Sequence, residues 1–382
     1  MIKNYLLAPG PTPVPPRVLL AMAQPIIHHR TPQFSQIFAD AKRGLKQVFQ
    51  TDQDVLILAA SGTGAMEGSV TNLFSPGDEV LVVNGGKFGE RWTKIASTYG
   101  LKVAELKVEW GRSARVDDVR RLLDERPNIR GVFIQASETS TAALHPTEEI
   151  AQITRQRDTL LIVDGITAVG VFDVPMDRWG IDVLITGSQK ALMLPPGLAF
   201  VALSERAWQR TKEAKLPRFY FDFARERDNL AKDTTAWTPA ISLTTGLREA
   251  LAIMFEEGLP RVFARHARMA AATRAGATAL NLKLVAPDAP SPALTAMFVP
   301  PQVDGGKLVA YLRDRMGVTF MGGQDQFKSK IVRIGHLGYT GTFDIVTAIA
   351  ALEMALHHFG YDVVLGRGVG AAQGVLMAGM PE

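Results

Sequence analysis

Between residues 55 and 203, short apolar, β-branched runs alternate with amphipathic stretches, and this alternation constrains the fold more than any other feature. Strands joined by helices run mostly parallel, with the helices packed over the sheet. The runs DVLILA (54–59), EVLVV (79–83), KVAELK (102–107), GVFIQA (131–136), TLLIVD (159–164), DVLIT (182–186) and LAFVAL (198–203) predict an α/β fold with a seven-stranded sheet. Helices are expected at about 64–74, 87–99, 116–126 and 147–157, the third opened by Asp117 and Asp118, which suit the positive end of a helix. The link GSQKALMLPPG before the last run is short and punctuated by Pro and Gly, so that strand is expected to return antiparallel.

A second block starts near EEGLPRVF (256–263). It predicts a long helix to about Leu280, strands near 282–285, 294–299 and 318–321, a helix at 304–316, the segment VRIGHLG (332–338) and a closing helix at 343–359. The expected organisation is an extended N-terminal arm over 1–20, a large domain over 21–257, a smaller C-terminal α+β domain over 258–365 and a flexible Gly/Ala-rich tail over 366–382. The Pro-rich arm LLAPGPTPVPP either covers the sheet or reaches a partner subunit. With 382 residues, 47% of them hydrophobic, the chain can bury one large core and a smaller one.

Charge and cysteine content narrow the chemistry. The net charge of +4 is dispersed rather than gathered into a basic stripe, so nucleic acid is not an expected partner. No run reaches the ~20 apolar residues of a membrane span, and prolines interrupt the N-terminus before a signal peptide could form; a cytoplasmic protein is expected. Zero cysteines exclude disulfides, thiolate zinc, iron–sulfur clusters and a cysteine nucleophile, and no metal site is assigned.

Ligands of open α/β sheets collect beyond the carboxyl ends of the strands. After the first run comes AASGTGAMEGS, in which glycines opening a helix let backbone N–H groups approach a phosphate. Its GxGxxxG spacing, with no acidic residue closing EVLVVNGG, departs from a dinucleotide fingerprint, and alone it reads equally as a plain strand-to-helix turn. Asp164 ends TLLIVD, where it is either a cap or a carboxylate requiring a cationic partner. Lys190 lies in a polar turn within an apolar run, where desolvation favours the neutral amine needed for a carbonyl adduct; the alternative is a lysine snorkelling from a loop. Together a lysine, an aspartate and a helix start meet the needs of pyridoxal 5'-phosphate: a held aldehyde, a protonated ring nitrogen and an anchored phosphate.

The motifs LLAPGPTPVPPRV, HHRTPQF, SGTGAMEG, GGKFGER, SETSTAALHP, VDGITAVG, GSQKALMLPPG, ISLTTGLREAL and VRIGHLG resemble the class V, fold-type I aminotransferases, with alanine–glyoxylate and serine–pyruvate or serine–glyoxylate enzymes as the nearest group. That resemblance implies Lys190 as the Schiff-base lysine, Gln189 as a phosphate contact and Asp164 as the partner of the ring nitrogen. It implies Ser61, Gly62 and Thr63 as the phosphate turn, Thr139 on the ring hydroxyl, Ile166 beneath the ring, and Arg333 and Gly10 as substrate contacts. Two positions depart from the pattern: Phe88 stands where many relatives stack Trp or His, and DTTAWTPAIS lacks the expected tyrosine and threonine of the neighbouring subunit's phosphate contact, for which Thr235 is the choice over Thr234 and Trp237.

A homodimer with shared sites is therefore expected, carrying out ping-pong transamination between a small amino acid, alanine or serine, and a small 2-oxo acid, glyoxylate or pyruvate. Lys190 is expected to be both tether and proton-transfer base. Aspartate, ureidoglycine and aminoethylphosphonate remain alternative donors, and a nicotinamide-dependent dehydrogenase is the alternative of a different class. Cysteine desulfurases share the fold but attack with a cysteine this chain lacks. A hydrogenase-subunit role, a label carried by some class V relatives, is disfavoured for the same reason.

Overall fold

The structure is a computed structural model and describes residues 2–378. In chain order its first half comprises β1 (Tyr5–Leu6), α1 (Pro16–Met22), α2 (Pro32–Phe49), β2 (Val55–Leu58), α3 (Gly62–Leu73), β3 (Glu79–Asn84), α4 (Lys87–Thr98), β4 (Lys102–Lys107), α5 (Val116–Glu125), β5 (Ile129–Gln135), β6 (Ser137–Glu138), β7 (Ala143–Leu144), α6 (Thr147–Thr154), β8 (Leu160–Asp164), α7 (Met176–Trp179), β9 (Val183–Gly187) and β10 (Ala199–Leu203). Then come α8 (Glu205–Thr211), α9 (Phe223–Leu230), α10 (Ile241–Glu257), α11 (Leu259–Ala279), β11 (Leu294–Phe298), α12 (Gly305–Met316), β12 (Val318–Thr319), β13 (Met321–Gly322), β14 (Ile331–Gly335), α13 (Thr342–His358) and α14 (Arg367–Ala378).

The seven expected strands form one sheet in the order β2-β10-β9-β8-β5-β3-β4. Only β10 runs against its neighbours, pairing antiparallel with both β2 and β9. The four central strands β5, β8, β9 and β10 are buried almost throughout, as continuous apolar runs demand when helices cover both faces. Two long helices left unassigned from the sequence pack against each other: α2, which also lies on β2 and whose N-cap Thr31 accepts from Phe34 N–H (3.3 Å) with Pro32 at the first position, and α10.

A separate apolar cluster forms around α11, α12, α13 and the three-stranded antiparallel sheet β11-β14-β13. Two expected strands change character there. The run 282–285 contributes only a bridge from Leu284 to Met297, and 318–321 splits at buried Phe320 into β12 and β13, which belong to different sheets. The arm differs as well, since Pro16 starts α1 within the expected extended stretch. Before that point it is tied to the second cluster, Tyr5 and Leu6 pairing parallel with Val318 and Thr319.

The expected flexible tail is the main correction. Arg367–Ala378 is a helix with Gly368, Ala372 and Leu376 buried, packed against α11; residues 379–382 of that expectation lie outside the described residues. Small residues allow the close approach, since a Cβ at Gly368 would lie 3.0 Å from the Gly276 carbonyl. Glu353 on α13 fixes the start of the helix, accepting from the N–H groups of Gly366 (2.8 Å), Gly368 (2.5 Å) and Val369 (3.0 Å). Composition misled because Gly lowers helix propensity and neither Gly nor Ala offers packing bulk, whereas here their small size creates the contact surface. Leu376→Ala should destabilise the C-terminal cluster by about 2–5 kcal/mol in denaturant unfolding; a loss below about 0.5 kcal/mol would mean that this helix is not part of the core.

Candidate active site

The carboxyl edge of the parallel strands gathers most of the expected residues. Asp164 is the last residue of β8, only 4% exposed, and accepts a hydrogen bond from Ile166 N–H (2.9 Å). Burial pushes its carboxyl up to about 6; neighbouring Glu138 adds to the rise, and Arg91 and Lys190 oppose it. Lys190 follows β9 by three residues, and burial pulls its amine down to about 8 against the attraction of Asp164, with Arg333 and Arg91 lowering it further. Its Nζ donates to the Pro9 carbonyl (2.6 Å), while Thr12 of the arm reaches the same turn through Oγ1 to the Lys190 carbonyl (2.9 Å).

Gly10 explains why the arm can lie so close. Its φ of +133° favours glycine, and a Cβ there would lie 2.2 Å from Lys190 Nζ. Ser61 is the N-cap of α3 with no side-chain cap bond, so its hydroxyl is uncommitted at the helix start. A Cβ on Gly62 would come within 2.4 Å of Ile166 Cδ1, which places Ile166 against that turn. Thr63 Oγ1 accepts from Arg91 Nη1 (3.1 Å). The Gln189 Oε1 atom is buried without a partner and sits on the same side of Gly187 as the Gly62 N–H, judged from a Cβ built at Gly187 (3.0 and 3.7 Å).

Arg333 lies on β14, 5% exposed. Val332 and Ile334 pack into the C-terminal cluster, so strand alternation turns Arg333 the other way. Its Nε and Nη2 donate to the Gly322 carbonyl (3.1 and 2.8 Å) and Nη1 to the Thr139 carbonyl (2.9 Å), which leaves one N–H on each terminal nitrogen. Burial lowers the guanidinium to about 10, with the charge of Glu138 opposing that fall. Thr139 Oγ1 shares a hydrogen bond with Thr167 Oγ1 (2.9 Å).

Phe88 lies in the first turn of α4, and the Arg91 guanidinium rests 4.8 Å from the centre of its ring. Thr235 is placed elsewhere: its hydroxyl donates to the Trp237 carbonyl (2.5 Å), and it lines a small cavity with Tyr220, Phe221, Glu226 and Leu198 that Lys190 does not reach. Several residues of the site carried no assignment from the sequence, notably Arg91, Glu138, Thr167 and the fully buried Gln135, which pairs with Asp164 across the sheet. Arg91 and Glu138 stand inside recognised motifs, and a charged residue within an otherwise apolar or glycine-rich motif was the available signal.

The described residues include no helix long and apolar enough to cross a membrane and no grouping of His, Asp and Glu suited to a metal. The family match settles the broader assignment, since residues 4–338 match Aminotransferase class-V. This chain belongs to the class V aminotransferase family. It is accordingly a transaminase of a pyridoxal 5'-phosphate-dependent family, with the fold-type I architecture. Among similar proteins, the small subunit of soluble hydrogenase from Synechococcus sp. (strain PCC 6716) is 44% identical, with 98% of each chain covered. The L-aspartate–glyoxylate aminotransferase of Paracoccus denitrificans is 36% identical over 97% of this chain and 96% of its own. The crystal structure of ureidoglycine–glyoxylate aminotransferase from Bacillus subtilis superposes with a TM-score of 0.94 at 30% identity, covering 99% of both chains.

For this class V aminotransferase, the buried Asp164 carries a stability cost. Its raised folded-state value of about 6, against an ordinary 3.8, means the ionised form is penalised in the folded protein. Asp164→Asn should therefore stabilise the cofactor-free protein by up to about 3 kcal/mol above pH 6. That advantage should shrink between pH 6 and about 4 and vanish below, because the wild-type carboxyl is then protonated in both states. Thermal unfolding of both proteins across this range tests it; an Asn variant less stable at pH 8 would show that Asp164 is compensated.

Proposed function

We propose that Lys190 holds pyridoxal 5'-phosphate and that the protein transfers an amino group from alanine or serine to glyoxylate or pyruvate, in two half-reactions at one site. The observation that carries this reading is a desolvated amine, Lys190, within electrostatic reach of a buried carboxylate, Asp164, and a buried guanidinium, Arg333, with the Pro9 carbonyl as its hydrogen-bond acceptor. The unmet groups suit the cofactor. The Ser61 hydroxyl, the Gly62 and Thr63 N–H groups and the amide nitrogen of Gln189 fit a phosphate, Asp164 fits a ring nitrogen, and Thr139, whose hydroxyl also meets Thr167, fits the ring hydroxyl.

When bound, the cofactor supplies an electron sink for the charge left on the substrate α-carbon. The protein's part is positioning and proton handling. Arg333 grips the substrate carboxylate through its two remaining terminal N–H groups, a geometry that lysine lacks. Lys190, lowered to about 8 so that its unprotonated form is reachable near neutral pH, would take the proton from the substrate α-carbon and pass it on to the bound cofactor, and would carry a proton the opposite way in the other half-reaction. Pro9 and Gly10 crowd the pocket on the arm side, which favours small substrates.

Glyoxylate as acceptor draws support from the names of the Paracoccus and Bacillus relatives; their donors, aspartate and ureidoglycine, are the alternatives to alanine and serine. The hydrogenase name of the Synechococcus relative is not carried over, because a chain without cysteine has no thiolate for an iron–sulfur or nickel centre. The working unit is a homodimer in which the 234–239 segment, with Thr235, reaches the partner's phosphate; exposed Leu20, Ile26 and Phe219 (66, 73 and 71%) supply apolar surface for the contact. Mixing the protein with a panel of amino acids and following the visible band of the bound cofactor identifies the donor, and a panel with no response would sink the transaminase reading.

Borohydride should trap pyridoxal phosphate covalently on the wild-type protein but not on Lys190→Ala, and a pyridoxyl-lysine recovered from the variant would relocate the tether. Only the neutral amine attacks an aldehyde, so the rate at which cofactor-free protein takes up pyridoxal phosphate should rise with pH through an inflection near 8. An inflection near the ordinary 10.5 would contradict a desolvated lysine. Arg333→Ala should lower kcat/KM for amino acids by about thirty-fold to several thousand-fold while leaving cofactor affinity intact. A loss within about threefold would place the carboxylate site elsewhere.

A further inference from the structure

Glu138 is fully buried at the end of β6, outside every task assigned above. A carboxylate in that position is costly unless its lone pairs are satisfied. Its Oε1 accepts from the Ser140 N–H (3.0 Å) and hydroxyl (2.6 Å), and its Oε2 accepts from the N–H groups of Phe88 and Gly89 (both 3.1 Å). The Lys87 N–H donates to Ser140 Oγ (3.0 Å). The three leading N–H groups of α4, which have no acceptor within their own helix, are thus all taken by Glu138 and Ser140.

The helix cannot cap itself, because its N-cap is Gly86. A Cβ at Gly86 would lie 2.5 Å from Glu138 Cδ and 2.4 Å from Ser140 Oγ, so glycine is what lets the carboxylate rest against the chain. The cap is therefore tertiary: a negative charge from the end of β6 set at the positive pole of a helix that starts 51 residues earlier (138 − 87).

That helix end presents Phe88, on which Arg91 rests, while the residue after Glu138 is Thr139, whose carbonyl receives Arg333. We propose that Glu138 is a positioning residue, locking the first turn of α4 to the Thr139 turn so that Phe88 stands against the cofactor ring at a fixed distance from Thr139. This rests on the reading of Lys190 as the pyridoxal phosphate site. A carboxylate serving stability alone would leave the cofactor's surroundings unchanged.

The test uses Glu138→Gln, which keeps size and one acceptor but turns an amide donor toward the N–H groups of α4 or Ser140. Cofactor-free protein is titrated with pyridoxal phosphate, and the visible circular dichroism of the bound cofactor is recorded as a measure of ring placement. Glu138→Gln should weaken pyridoxal phosphate binding at least about tenfold and change the dichroic band. In a Phe88→Leu background the same substitution should add less than about threefold, because the two changes act through one contact. An affinity and band within about twofold of the parent, with only the unfolding temperature lowered, would overturn the proposal, as would full additivity with Phe88→Leu. If Glu138→Gln does not fold, Ser140→Ala removes one of the same caps, and an unaltered dichroic band in that variant overturns it equally. A parent protein that binds no pyridoxal phosphate defeats the functional reading as well, whereas a binding parent with an indifferent Glu138→Gln defeats this one alone.

Discussion

Opposite charges buried at one sheet edge, yet kept from neutralising one another, are what the rest of this site depends on. Asp164 ends β8, Lys190 lies three residues beyond the adjacent parallel β9, and the two feel each other's charge, but each spends its hydrogen bond on backbone: Ile166 N–H for the acid, the Pro9 carbonyl for the amine. Burial then acts in opposite directions, raising the acid and lowering the amine. Both groups are thereby brought toward neutral pH, where small changes in their surroundings switch their protonation.

Arg333 brings a third charge from a different core. It stands on β14 of the C-terminal cluster, yet donates to Thr139 beyond β6, and the arm repeats the connection by pairing with β12, bonding Gly335 N–H through the Leu7 carbonyl (2.7 Å) and then crossing Lys190. A smaller apolar group draws on both parts of the chain, taking Ala142, Val171 and Ala191 from the first and Leu294 and Leu337 from the second. On the proposed reading, a substrate gripped by Arg333 and deprotonated by Lys190 would touch both halves. The glycines at 335 and 338 mark where another stretch of backbone comes too close for a Cβ, and Gly10 marks where the Lys190 side chain does.

The sheet itself was legible, including the reversal of its final strand, because apolar runs buried on two faces announce themselves without reference to anything distant. The signals for α2 were also present, in Thr31, Pro32 and the apolar spacing from Phe34 to Val48, though they went unassigned. The run 318–321 could not be divided from its own residues: β12 and β13 differ only in which partners they find. The tail misled for a related reason, since Gly368 and Ala372 gain their meaning from the surface of α11 and from Glu353.

For the site, position beyond the strands singled out Lys190, Asp164 and the glycine turn at 62–64, because chemistry at the end of a strand depends on local order, whereas Ser61, Gln189 and Arg333 entered through the family resemblance, with strand alternation giving the direction of Arg333. Tertiary structure alone decided what holds them. The Pro9 carbonyl beside Lys190, the Arg91 fork on Thr63 and the Glu138 cap of α4 join residues 181, 28 and 50 positions apart. No periodicity encodes such pairs. A hydrogen bond depends on where two atoms come to rest, and that is fixed only when the sheet, the arm and the helices have packed.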